Sequence, residues 1–340
     1  MRYPAATILG FGIAFAATSS LAQPATEFYR DRQMTMTVGT TAGNDYDFRA
    51  RLVAKYIVRH LPGNPVIVTR NMPGGGGIVA ANWLAQRAPR DGSALLMMMQ
   101  ALTVSQAIGV PNIQFDVRAF RWIGNTIDSP NVVNTWHTSD VRSIEDAKKR
   151  EVILGATAGS YAVVFPPVMN ALLGTKFKIV TGYPGGNEVN LAMERGEVQG
   201  RGANSWASWK STKPDWIAEK KLVILTQVSL KRDPDLPDVP LLMELTTNEF
   251  DRKVLRFLSA DTAISRAIVT TPEVPEDRVT MLRRAFDATM KDPEFLAEAA
   301  KTKMDIAASR GEEAQEIANS LINTEPDVLK RAKELMDATR

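Results

Sequence analysis

The run Asn71-Met72-Pro73-Gly74-Gly75-Gly76-Gly77-Ile78-Val79-Ala80 is where this sequence most plainly offers chemistry. A β-branched strand, Pro65-Val66-Ile67-Val68-Thr69, precedes it, and Ile78 to Ala88 carries apolar side chains at helical spacing. Four glycines between a strand and a helix let the backbone turn sharply with no Cβ in the way. Such a turn can cradle a phosphate, hold a carboxylate, or be only a tight turn. Gly75-x-Gly77-x-x-Ala80 fits the dinucleotide-binding pattern. Against that reading, the next strand ends at Met99-Gln100 with no acidic residue for a ribose, and the run follows the second strand of its series, not the first. A P-loop is excluded because no Gly-Lys-Ser or Gly-Lys-Thr follows.

Nucleophilic and metal chemistry find little support. Ser160 follows Gly159 at a strand-to-helix turn, but Ala158-Gly159-Ser160-Tyr161-Ala162 is not G-x-S-x-G, and a serine there fits an N-cap. The chain has no cysteine, which excludes disulfides, thiolate nucleophiles and thiolate-bound metals. His60 and His137 are its only histidines, and neither sits in a metal-ligand pattern. No cofactor or metal is implied.

What remains is anion binding by loops. Three strand-to-helix turns are predicted to aim backbone N–H groups out of the C-terminal edge of a sheet: Thr40 to Tyr46, Gly74 to Gly77, and Thr157 to Ser160. In open α/β sheets ligands bind at that edge. Any one of these turns is equally well explained as steric permission for a bend. Three of them in one exported two-lobe chain point to a ligand cleft.

The elements that must position these turns follow an alternating order. Strands are predicted at Met34–Gly39, Val66–Thr69 and Ser93–Met99, with a helix over Phe48–His60 capped by Asp47 and a second helix after the glycines. Strand character returns at Phe120–Gly124 and Val132–Trp136, and Ser143-Ile144-Glu145-Asp146 is a capping box. A second β-α series follows: strands Glu151–Gly155 and Lys176–Thr181, helices Tyr161–Leu173 and Asn187–Arg195, and a strand Leu222–Gln227. Val198 to Ser205 is read only as a connection into a Trp-rich helical region. Ala263–Thr271 reads as an extended crossing segment, and helices fill the rest to the C-terminus. The expected organisation is α/β in two lobes, residues 23–132 plus 260–340 and residues 133–259, joined by short hinges.

Residues 1–22 read as a secretory signal: Arg2, an apolar run from Ala5 to Ala17, and Ser20-Leu21-Ala22 before Gln23. That run is short of the roughly 20 apolar residues that span a bilayer. Apolar content of 44% suits a globular protein, and a net charge of +3 gives no basic patch for nucleic acid.

Taken together, the sequence resembles the Bug (TctC-type) extracytoplasmic solute-binding receptors of tripartite tricarboxylate transport systems. The resemblance lies in Gly43 through Ala54, in Pro65 through Gly92 with Ala88-Pro89-Arg90-Asp91-Gly92, and in Gly182-Tyr183 through Gly196-Glu197-Val198. It continues at Asp238-Val239-Pro240, Val274-Pro275 to Phe286, and Asp292-Pro293. It implies a type II periplasmic-binding-protein clamshell, each lobe a mostly parallel sheet flanked by helices. Such a receptor closes on a small, usually carboxylated solute and delivers it to membrane permease subunits; a periplasmic monomer without enzymatic activity is expected. Carried over, ligand contacts fall on Thr40, Thr41, Asn44, Asp45 and Tyr46, on Gln100 and Ala101, on Gly159, Ser160 and Tyr161, on Tyr183, and on Asn204. Tyr46, Tyr161, Tyr183 and Trp206 would shape the cleft, with packing into the core the competing reading for Trp206, because aromatics at helix starts commonly pack inward. Two departures bear on the ligand: Asp45 stands near the expected anion site, where it would repel a second carboxylate unless an amine or a water layer intervenes, and Gln199 replaces a usual aspartate. The rival readings are an exported hydrolase or dehydrogenase, and a ligand-reporting partner of a signalling protein.

Overall fold

The computed structural model describes residues 25–337, so the expected signal segment lies outside the described residues. In chain order the strands are β1 Gln33–Val38, β2 Val66–Asn71, β3 Ala94–Met97, β4 Arg121–Asn125, β5 Asn131–Trp136, β6 Val152–Thr157, β7 Phe177–Tyr183, β8 Gly200–Ser205, β9 Leu222–Val228, β10 Ala267–Thr270 and β11 Ser309–Arg310. Among the described residues they form a six-stranded sheet, β11-β4-β10-β3-β1-β2, and a five-stranded sheet, β7-β6-β8-β5-β9. Each sheet, with the helices on its faces, forms one α/β lobe.

Both sheets are mixed. β1 pairs in parallel with β2 and β3, and β6 with β7 and β8, because each of these strands is followed by a helix that returns the chain to the same edge. The strands that carry the chain between sheets run the other way: β10 is antiparallel to β3 and β4, and β5 to β8 and β9. The chain leaves the first sheet after β4, builds the second from β5 to β9, and returns at β10. The two crossings lie side by side, with Thr126 N–H donating to Arg266 O at 3.2 Å and Ser129 N–H to Thr262 O at 3.4 Å.

In the first lobe Met34, Met36 and Val38 of β1 bury against Leu52, Val53 and Ile57 of the Asp45–Ile57 helix and against Val279, Leu282 and Phe286 of the Glu276–Thr289 helix. These are the inward positions their 3.6-residue spacing predicts. In the second lobe Trp136, Trp209 and Trp216 cluster, with ring centroids 4.4 and 5.7 Å apart. The C-terminal helix Pro326–Asp337 packs on the Glu249–Ala260 helix and on the Phe165–Leu173 helix beside the second sheet.

Two local readings change. The N-cap of the first long helix is Asn44, not Asp47: its side chain accepts from Asp47 N–H at 3.3 Å, and Asp47 in turn accepts from Gly43 N–H at 3.0 Å. The pair works as a reciprocal cap shifted toward the N-terminus. Residues Gly200–Ser205 are a strand at the centre of the second sheet, which the sequence conceals because Gly-Arg-Gly-Ala-Asn-Ser has no β-branched residue. A side chain at Gly202 would run into the Ala162 carbonyl, so close packing with no room for a Cβ replaces β propensity there. Among the described residues no helix is long and apolar enough to cross a membrane.

Candidate ligand-binding cleft

The turns after β1, β2 and β3 face the turns after β6 and β7 across the gap between the sheets. They enclose a cavity of about 510 Å³, within the range usual for small-molecule sites. All twelve residues expected at the ligand line it: Thr40, Thr41, Asn44, Asp45, Tyr46, Gln100, Ala101, Gly159, Ser160, Tyr161, Tyr183 and Asn204. Gly74, Gly75 and Gly76 line it too, as do residues that sequence reasoning missed: Asn131, Gly186, Asn187, Asn190, Arg201 and Arg266.

Around Asp45 the chemistry departs from expectation. Its carboxylate is buried at the start of the Asp45–Ile57 helix, where Arg49 Nη2 lies 3.3 Å from Oδ1 and Arg266 Nε lies 2.7 Å from Oδ2. Ser211, from the second lobe, donates its hydroxyl to Oδ1 at 3.1 Å. Burial alone would raise the pKa of this group, but the two guanidinium groups and the hydrogen bonds outweigh it and hold Asp45 well below the usual carboxylate range. The expected repulsion of a bound carboxylate is therefore corrected: Asp45 is over-neutralised by two arginines. Arg266 also donates to the Tyr46 hydroxyl at 3.0 Å and stacks on the Tyr46 ring, 3.9 Å from its centroid.

Next to it sits a second buried network. Gln100 Nε2 donates to Asp261 Oδ1 at 3.0 Å, and the Tyr161 hydroxyl donates to Asp261 Oδ2. Burial pushes Asp261 up to about 7 against the pull of these two donors. Burial and the nearby Asp261 charge also raise Tyr161 well above the ordinary tyrosine value, which keeps it a neutral donor.

The second-lobe wall holds Arg201 in the middle of β8. Burial draws its guanidinium down to about 10, still charged at neutral pH. Nη1 donates to Asn190 Oδ1 at 3.1 Å, and the group lies 5.4 Å from the centre of the Trp209 ring. Nε of Arg201, Nδ2 of Asn131 and Nδ2 of Asn204 are buried with no hydrogen-bond acceptor in the protein. The wall is thus rich in donors, and its guanidinium groups outnumber its one carboxylate.

Ser160 caps the Tyr161–Val163 turn, accepting from Ala162 N–H at 3.3 Å and donating to Thr157 O at 2.7 Å, which matches the capping role read from sequence. Trp206 does not shape the cleft: it is buried in the second-lobe core, with Nε1–H donating to Asp235 at 3.1 Å. Gln199 does not face the cavity either, because its Oε1 accepts from Ile153 N–H at 3.0 Å on the neighbouring strand. One signal could have flagged Arg201 in the sequence: a lone charge flanked by Gly200 and Gly202, a place where a strand can carry a buried cation only if something else compensates it.

Two α/β lobes linked by paired crossings, with a donor-lined cavity between them, define a solute-binding receptor of the type II class. Within that class, the chain belongs to the tripartite tricarboxylate transporter receptor family (TctC), whose profile matches residues 49–338. No curated protein matches the sequence. The fold is similar to the periplasmic binding protein BugD, with TM-score 0.70 and 20% identity over 92% of this chain and 98% of that one. It is similar to R. palustris Rpa4515 with adipate, TM-score 0.67 and 20% identity over 88% and 97%. It is also similar to MatC from Rhodopseudomonas palustris with bound malate, TM-score 0.66 and 18% identity over 90% and 99%.

Proposed function

We propose that this receptor works in the periplasm, captures a small carboxylated metabolite between its lobes, and delivers it to the membrane subunits of a tripartite tricarboxylate-type transporter. The observation that carries the reading is the cavity wall, where Arg201 and Arg266 outnumber the single carboxylate of Asp45, which buried Arg49 also pairs from behind, and where buried amide donors lack acceptors. A carboxylate supplies the missing charge and acceptor oxygens together. The adipate of Rpa4515 and the malate of MatC are of this chemical class. Binding and lobe closure are the whole mechanism: the ligand stabilises the closed arrangement because only there do both walls reach it. The twelve lining residues named above are the proposed contacts, and the receptor acts as a monomer.

Calorimetry and thermal melting of the mature protein against di- and tricarboxylates test this. Saturable stabilisation with the ligand recovered unchanged is expected. Product formation, or no response to any carboxylate, would overturn it. Delivery is tested by ligand-dependent co-purification with the permease subunits.

A further inference from the structure

Most charged groups on the cavity wall are already engaged by the protein. Both oxygens of Asp45 carry hydrogen bonds, from Arg49, Ser211 and Arg266. Arg266 gives Nε to Asp45 and Nη1 to Tyr46 and to the Ser265 carbonyl. Arg201 differs. Among the described residues no carboxylate pairs with it, and the only hydrogen bond of its side chain goes to the neutral amide of Asn190. A place has been cleared for it: a Cβ on Gly186 would lie 2.6 Å from Nη2 and 3.2 Å from Cζ, so only glycine lets the guanidinium lie against the first residue of the Gly186–Glu194 helix. Its Nε is buried without an acceptor. So are the amide nitrogens of Asn131 and Asn204, side chains 6% and 9% exposed that line the same cavity.

A partly buried guanidinium held only by a neutral amide and an aromatic face lacks the counter-charge that would offset its desolvation. A ligand carboxylate reverses this, because its two oxygens match the planar fork of the guanidinium. The same wall offers an ammonium group no free carboxylate, only neutral oxygens such as the unpartnered Thr157 hydroxyl. Its one carboxylate is saturated by two arginines, so an amine drawn in beside the acid would be desolvated next to excess positive charge.

We infer that Arg201 is the specificity-determining residue of this receptor, taking the ligand's carboxylate directly, and that the cavity selects amine-free carboxylates over amino acids of the same skeleton. This rests on the carboxylate reading above and deepens it. Because Arg201, Asn131 and Asn204 all belong to the second lobe, that lobe takes the anion first and the first lobe closes over it.

The test is calorimetry on the mature protein with matched pairs that differ by one amine: succinate with aspartate, and adipate with 2-aminoadipate. Wild type is expected to bind at least one amine-free member about 100-fold more tightly than its aminated twin. Arg201→Met is expected to lose about 100-fold in affinity for that member, the scale seen when one partner of a buried charge pair is removed. Arg201→Lys should recover part of it. The ligand-free melting temperature of Arg201→Met should hold or rise, since a partly buried charge without a counter-charge is removed; a merely structural arginine would lower it. Binding that survives Arg201→Met unchanged overturns the role of Arg201 and leaves the carboxylate reading standing. Tighter binding of the aminated twin overturns the selectivity. Failure of wild type to bind either amine-free member overturns the present inference, and the carboxylate reading falls with it only if no other di- or tricarboxylate binds.

Discussion

Gly76 of the first lobe and Gly159 of the second meet backbone to backbone across the mouth of the cleft. A Cβ on Gly159 would lie 2.7 Å from the Gly76 nitrogen, and one on Gly76 would enter the Gly159 carbonyl. A second seam runs alongside, where a Cβ on Gly185 would lie 2.9 Å from the Thr41 hydroxyl and Asn187 Nδ2 donates to Gly43 O at 3.1 Å. The glycine run is thus a closing edge: its lack of side chains lets the lobes come together.

Gly76→Ala and Gly159→Ala are therefore expected to impair closure more than folding. Each residue has a positive φ, 65° and 74°, so either alanine adds about 1–2 kcal/mol of backbone strain. Gly174→Ala is the control, because φ is 72° and nothing lies within 4 Å of the added methyl. All three variants should lose similar ligand-free stability in urea. Only Gly76→Ala and Gly159→Ala should lose ligand affinity, by about tenfold or more, equivalent to about 1.4 kcal/mol. Equal affinity losses in the control would refute the role in closure.

Asn44 links stability to the ligand turn. Besides capping its helix, its Nδ2 donates to Thr41 O at 2.7 Å and to Thr40 Oγ1 at 2.9 Å. Asn44→Ala should cost about 1 kcal/mol for the cap and also loosen the Thr40–Thr41 turn. Asn44→Ser keeps a cap acceptor but is too short for the Thr41 carbonyl, so it should regain most of the stability and little of the affinity. Urea midpoints and calorimetry on the two variants separate these effects.

The Asp45–Arg49–Arg266 cluster should dominate acid sensitivity near the site. Breaking such a buried arrangement by Asp45→Asn, which leaves two buried guanidinium groups without a counter-charge, should cost about 3–5 kcal/mol at neutral pH. The folded-state pKa of Asp45 is depressed, so its contribution is present above the ordinary carboxylate value and is lost as pH falls below it. The gap in urea stability between wild type and Asp45→Asn should therefore be widest at pH 7 and shrink toward pH 3. A gap that widens in acid would contradict the assignment.

Much of this was legible in the sequence, and what was not has physical reasons. Strands such as Val66–Asn71 and the inward residues Val279, Leu282 and Phe286 follow from local patterns of period two or 3.6. The ligand turns were found because glycine and small polar residues between a strand and a helix mark backbone that cannot be built otherwise. Arg201 and Arg266 were missed because their meaning depends on partners far away in sequence. Arg266 reads as an ordinary charge beside an apolar strand until Asp45, 221 residues earlier, is seen 2.7 Å away. Arg201 reads as a surface charge until the glycine at 186 is seen to make room for it. The seal between Gly76 and Gly159 belongs to the same class, since nothing local says that two glycine turns will touch.

Asp261 should make the closed arrangement respond to pH near neutrality. It opens the Asp261–Ile264 turn, where the chain returns toward β10, and it accepts from Gln100 on the first-lobe side and from Tyr161 on the second. Tyr46 is the other titratable group near enough to feel its charge. The folded pKa of about 7 lies above the ordinary carboxylate value. The folded state therefore holds the proton more tightly than the unfolded chain, and this stability is fully present below the unfolded pKa and lost as pH rises through 7. Between pH 5 and 8 wild type should lose urea stability with rising pH, while Asp261→Asn, which keeps the polar contacts without the charge, should vary less. At pH 8 the variant should equal or exceed wild type, and at pH 5 the comparison should favour wild type. Parallel pH profiles for the two proteins would show that Asp261 does not titrate in this range, and the link between hinge and cleft would then have to rest on the hydrogen bonds alone.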